Sequence, residues 1–194
     1  MLYATAKYFA DQYAEMIRPG CVRLEIVGSV KRGDKLDVHD IEYLVIANEK
    51  TPRPEFGQKV VFRTKLDQVL YELCQEGRLR FVKGGDKLKQ YELTEADELN
   101  PFHIEIYIVK PETWGIQNVI RTGPREFSHR FVTNKAYGGL LPDDCEYIRG
   151  KTQIKRNGRV LELPEEADAI GLLGIGWIEP KNRHRLAFVK KEAA

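Results

Sequence analysis

The sequence predicts an α+β fold on three observations: an amphipathic opening helix, several short segments with apolar residues at alternate positions, and a change of texture near Leu140 where paired short strands take over. Ala6, Phe9, Ala10, Tyr13, Met16 and Ile17 recur at helical spacing, and Pro19-Gly20 stops the pattern. Cys21–Val27 alternates as a strand does, Gly28-Ser29 reads as a turn, and a charged loop leads into a second strand over 41–47. Two prolines and a glycine make 48–58 a loop, after which Thr64 caps a helix carrying Leu66, Val69, Leu70 and Leu73 that Gly77 ends. Segments 79–83 and 87–93 flank Gly84-Gly85-Asp86 as a hairpin. In the strand beginning at Phe102, period two places Phe102, Ile104, Ile106 and Ile108 on one face and His103, Glu105 and Tyr107 on the other. Segments 111–120 and 124–137 read as helices with proline near each start, separated at Thr122-Gly123-Pro124. Residues 145–154, the Asn157-Gly158 turn and 160–163 predict a small sheet, and 164–173 a short helix.

These elements divide into a main unit over 1–138 and a smaller α+β lobe over 139–194. With 194 residues, 42% hydrophobic and 31% charged, the composition is that of a globular chain with a sizeable core. A net charge of +2 is too small to imply a polyanionic partner, so charge distribution has to carry that question. No apolar run approaches a membrane span and the amino terminus lacks an export signal, which predicts a soluble, cytoplasmic protein with no membrane partner; a monomer is expected. Cys21, Cys74 and Cys145 are far apart without a paired motif and read as reduced core residues.

The chemistry begins with Asp40 and Glu42, an acidic pair inside an apolar run. Buried carboxylates are costly unless a cation pairs with them or they stay protonated. Two apart on a strand, they share a face, and a neighbouring strand can bring Glu105 alongside. Oxygen ligands without a His or Cys cluster favour Mg²⁺ or Mn²⁺, and two such ions about 3.5–4 Å apart form the clamp used in phosphoryl transfer. Upstream, the Gly28-Ser29 turn offers backbone amides and a hydroxyl to a phosphate, and Lys31 and Arg32 supply positive charge. Basic clusters at Lys83, Lys87 and Lys89, at Lys151, Lys155, Arg156 and Arg159, and at Lys181, Arg183 and Arg185 suit phosphate backbones. His39 reads as a solvent-facing loop residue, while His103 reads equally as strand packing or as support for a neighbouring acid.

A Gly-Ser turn, basic residues, an Asp-x-acid strand and a third acid on a later strand follow one another in the order of the nucleotidyltransferase superfamily. More closely, GSVKRG, DIE, HIEI, KPETWG, RTGPREFSHRF and LPEEADAIGLLGIGWIEPKNR resemble, in sequence order, the motifs of the DNA polymerase X family, covering the chain to about Arg185. That resemblance implies a nucleotidyltransferase palm, with a mixed or antiparallel sheet and helices on one side, over 1–138 and a thumb-like lobe over 139–194. It implies two Mg²⁺ ions, or Mn²⁺, held by Asp40, Glu42 and Glu105 as the catalytic acids. It further implies Gly28, Ser29 and Arg32 at the nucleotide phosphates, Gly123 at the incoming sugar and Ser128 at the minor groove. The partners implied are a nucleoside triphosphate and DNA, as a primer end or template-primer, with attack of a 3′-hydroxyl releasing pyrophosphate. Glu stands where the family has Asp at the second and third acidic positions, His39 replaces a glycine, and Ile120 and Arg121 replace an aromatic pair that polices the ribose. Transfer to RNA or a small acceptor, and a nucleotide- or nucleic-acid-binding module without turnover, stand as alternatives.

Overall fold

The computed structural model describes residues 1–50, 61–96 and 101–187. The loop expected over 48–58 therefore lies, beyond Lys50, outside the described residues. Two units divide the chain, one from Met1–Ile26 and Lys35–Val109, the other from Val27–Asp34 and Lys110 onward.

Among the described residues the first unit is a mixed five-stranded sheet carrying two α-helices. Its strands are β1 (Cys21–Val27), β2 (Asp40–Ala47), β3 (Leu79–Gly84), β4 (Leu88–Leu93) and β5 (His103–Ile108), ordered β1-β2-β5-β4-β3. β2 and β5 run parallel, whereas β5 with β4 and β4 with β3 run antiparallel. The helices are α1 (Tyr3–Ile17) and α3 (Lys65–Gln75), while α2 (Gly28–Arg32) belongs to the other unit. α1 ends at the expected Pro19-Gly20 turn, and α3 starts at Thr64. The hydroxyl of Thr64 accepts the Asp67 N–H at 3.1 Å while the Asp67 carboxylate accepts the Thr64 N–H at 3.0 Å, so two donors orphaned by the helix start are satisfied reciprocally.

Both helices cover one face of the sheet. The Tyr43 hydroxyl donates to the Ala10 carbonyl of α1 at 2.7 Å, and Lys89 pairs with Asp67 of α3 at 2.9 Å. Ile41, Tyr43 and Val45 of β2 lie on this face with Ile104 and Ile106 of β5 and Tyr91 of β4, all buried. Each isoleucine removed from water there contributes about 1.5–3 kcal/mol of transfer free energy. A Cβ on Gly20 would fall 2.7 Å from the Leu66 Cα, so the turn after α1 and the start of α3 pack backbone to backbone, and only glycine fits.

The second unit contains α2 (Gly28–Arg32), α4 (Trp114–Thr122), α5 (Arg125–Phe131), α6 (Glu166–Gly171), α7 (His184–Ala187) and an antiparallel sheet of β6 (Cys145–Ile148), β7 (Gln153–Arg156) and β8 (Arg159–Val160). Its core joins Ile116 and Val119 of α4 and Phe127 and Phe131 of α5 to Leu141, Cys145, Ile154, Leu163, Ala169 and Ile170. This packing explains why the division falls at 109/110 and not near 138: the apolar faces of α4 and α5 are buried with the following sheet.

Two local expectations are corrected. Gly28 to Arg32 is one and a half turns of helix, closed by Gly33 at φ 62°, whose N–H donates to the Ser29 carbonyl at 3.0 Å. Residues 145–154 are two strands joined by a turn in which Thr152 takes φ 53°. The Asn157-Gly158 hairpin is as expected, both residues having positive φ. All three cysteines are free, and no helix among the described residues is long and apolar enough to cross a membrane.

Candidate active site

The face of the sheet opposite α1 and α3 is the polar one. Alternation along β2 turns Asp40 and Glu42 away from Tyr43, and the parallel register pairs Glu42 with Glu105 and Asp40 with His103. Paired residues on neighbouring strands stand about 4.8 Å apart and project to the same side. The antiparallel register then sets Gln90 of β4 beside Glu105, and Glu92 beside His103. One row across the sheet therefore reads Glu42, Glu105, Gln90, and the adjacent row Asp40, His103, Glu92, Arg80.

The second row is largely charge-compensated. Arg80 Nε donates to Glu92 at 2.6 Å, and His103 Nε2 lies 3.5 Å from the other oxygen of Glu92, an ion pair when the imidazole is protonated. Thus His103 does face an acid, namely Glu92. In the first row, Glu105 is held at both oxygens: the Tyr107 hydroxyl donates to Oε2, and Gln90 Nε2 donates to Oε1 at 3.3 Å.

Asp40 is half-buried at the start of β2. Burial raises its carboxyl above the usual range and the charge of Glu105 adds to the rise, against His39, Lys35 and His103. His39 itself is exposed, as expected of a loop residue. The three acids share a face, but among the described residues no group of three or more His, Cys, Asp or Glu side chains is gathered about a common point for a metal ion. The donor set nevertheless fits a hard divalent cation: it is all oxygen, Asp40 carries charge that a cation would relieve, and each Glu105 oxygen keeps a second lone pair beside its hydrogen bond.

The second unit gathers the remaining predicted residues. Arg32 closes α2 with its Nη1 donating to the Thr122 carbonyl at 2.5 Å and its Nε to Asp34 at 3.1 Å. Gly123 follows at φ 69° and ψ −151°, a region that essentially only glycine enters. A Cβ there would stand 3.2 Å from Arg32 Nη1 and 3.7 Å from the Ser128 hydroxyl, so Arg32, Gly123 and Ser128 adjoin one another. Ser128 donates its hydroxyl to the Ile120 carbonyl at 2.8 Å. Gly28 opens α2 at φ 66°, and Ser29 stands one turn before Arg32 on the same helix.

Lys31 has a different role from the phosphate contact expected of it. Its amine donates to Asn118 and to Glu166, each at 2.8 Å. Asn118 also accepts the Thr122 hydroxyl at 3.1 Å, and Glu166 takes Arg183 Nη1 at 2.7 Å. Arg183, expected among the backbone-binding cations, is wholly buried, with its guanidinium 5.7 Å from the Phe127 ring and 5.5 Å from the Trp177 ring. Lys89 likewise turns to Asp67. Asn118 and Glu166 carry no signal in the sequence; their roles come from tertiary packing that sets α2 against α4.

No family model matches the chain, and no curated protein matches it.

Proposed function

We propose that this protein is a nucleotidyltransferase, resembling the DNA polymerase X family, that adds deoxynucleotides to a DNA 3′-hydroxyl. The observation that supports the reading most is the register of β2 on β5, which puts Glu42 beside Glu105 with Asp40 on the same face. Asp40, Glu42 and Glu105 would hold two divalent ions, Mg²⁺ or Mn²⁺, which supply charge neutralisation and lower the pKa of an attacking hydroxyl. In the second unit Gly28, Ser29 and Arg32 are assigned to the triphosphate, Gly123 to the sugar and Ser128 to the nucleic acid. The hydroxyl oxygen bonds to the α-phosphorus, the bond to pyrophosphate breaks, and the proton is lost to water. Orientation of the two reactants and neutralisation of phosphate charge would carry the rate.

A second reading is a nucleotide- or nucleic-acid-binding module without turnover, favoured by Glu42 and Glu105 standing where the resembled family has Asp. Primer extension with labelled deoxy- and ribonucleotides, on templated and untemplated ends and with Mg²⁺ and Mn²⁺ in parallel, separates the readings. The polymerase reading expects incorporation that Asp40→Asn abolishes without loss of fold. Full turnover by Asp40→Asn contradicts it, and nucleotide binding with no incorporation under any condition favours the module.

A further inference from the structure

We infer that Tyr107 and Gln90 are positioning residues for Glu105, fixing its carboxylate so that one edge faces the ion it holds. The inference rests on the proposed metal role of Glu105. Tyr107 follows Glu105 by two residues on β5 and so stands on the same face, while Gln90 is its register partner on β4, on the side away from Glu42. Each reaches a different oxygen of one carboxylate. Both donors are neutral, so they orient the group without cancelling the charge a cation requires, unlike the Arg80 that neutralises Glu92 one row away.

This difference between Glu105 and Glu92 is physically informative. A glutamate has one more rotatable bond than an aspartate, so a glutamate ligand gives up more side-chain freedom when it binds an ion. Two hydrogen bonds remove that freedom in advance. Each oxygen has two lone pairs, and one hydrogen bond per oxygen leaves one on each for the ion. Outer-shell donors of this kind typically change metal affinity by about 10–100-fold when removed.

The test is Mn²⁺ titration of the full-length protein followed by EPR, with folding checked by circular dichroism and thermal melting. The variants are Tyr107→Phe, Gln90→Met, Glu105→Gln, and Tyr107→Phe combined with Glu105→Gln. Tyr107→Phe keeps the ring and deletes only the donor. Expected are an about tenfold weaker Mn²⁺ affinity for Tyr107→Phe, a loss in the same direction for Gln90→Met, and no further loss when Tyr107→Phe is added to Glu105→Gln, because residues acting through a common group are not additive. Unchanged affinity in Tyr107→Phe, or an equal loss with and without Glu105, would overturn the positioning role while leaving the metal assignment intact. Affinity unchanged in Glu105→Gln, or no Mn²⁺ bound by the unaltered protein, would overturn the metal assignment itself and the positioning role with it.

Discussion

Asp40 is held at a cost to the fold. Its carboxyl is raised above the ordinary value of 3.8 by burial and by Glu105. A raised folded-state value means that the contribution to stability is complete below about pH 3.8 and is lost as pH rises through the raised value, so at neutral pH the ionised group works against folding. Asp40→Asn should therefore raise Tm of the metal-free protein at pH 7, with the gap closing as pH falls to about 3.8. Thermal melts of both proteins across that range check it, and a variant equal to or below the parent at pH 7 would contradict a buried, disfavoured charge at Asp40. At this scale the sequence is a partial guide. Period two is enough to place Asp40, Glu42 and Glu105 on a shared face, because strand geometry leaves only two faces to choose from. Lys31 and Arg183 were misleading for an equally simple reason: a cation has the same appearance in a sequence whether it awaits a phosphate or a buried Glu166.

Among the elements, those with long or sharply bounded patterns were legible. α1 follows from its apolar spacing and the Pro19-Gly20 stop, and α3 from Thr64. α2 was not, since five residues give no periodicity and its Gly28-Ser29 start has the composition of a turn. The turn within 145–154 was hidden similarly, because Thr152 adopts a left-handed conformation that its residue type does not advertise. The start of α3 offers its own test. Burial would raise Asp67, but hydrogen bonds from Lys89 and Thr64, with the charge of Lys89, bring its carboxyl below the usual range. The stability it confers is present above about pH 3.8 and is lost as pH falls through the lowered value. Asp67→Asn is expected to cost about 1–2 kcal/mol at pH 7 in urea unfolding and progressively less in acid. A cost that does not depend on pH would mean that the Lys89 charge plays no part.

For the molecule as a whole, the α+β class was legible in the sequence, whereas the division between units was not. Helices α4 and α5 read as amphipathic wherever their partner lies, and only the packing of Phe127 and Phe131 with Ile154 and Ile170 shows which sheet they accompany. The chain passes from the first unit to the second after Ile26, returns at Lys35 and leaves again after Val109, so the second unit carries Gly28, Ser29, Arg32, Gly123 and Ser128 while the acids belong to the first. The proposed ions depend on the acids alone. Anomalous diffraction at the manganese edge, from crystals grown with Mn²⁺ and a non-hydrolysable deoxynucleoside triphosphate, tests that dependence directly. The account predicts manganese peaks bound by Asp40, Glu42 and Glu105, and peaks that leave all three carboxylates uncoordinated would contradict it.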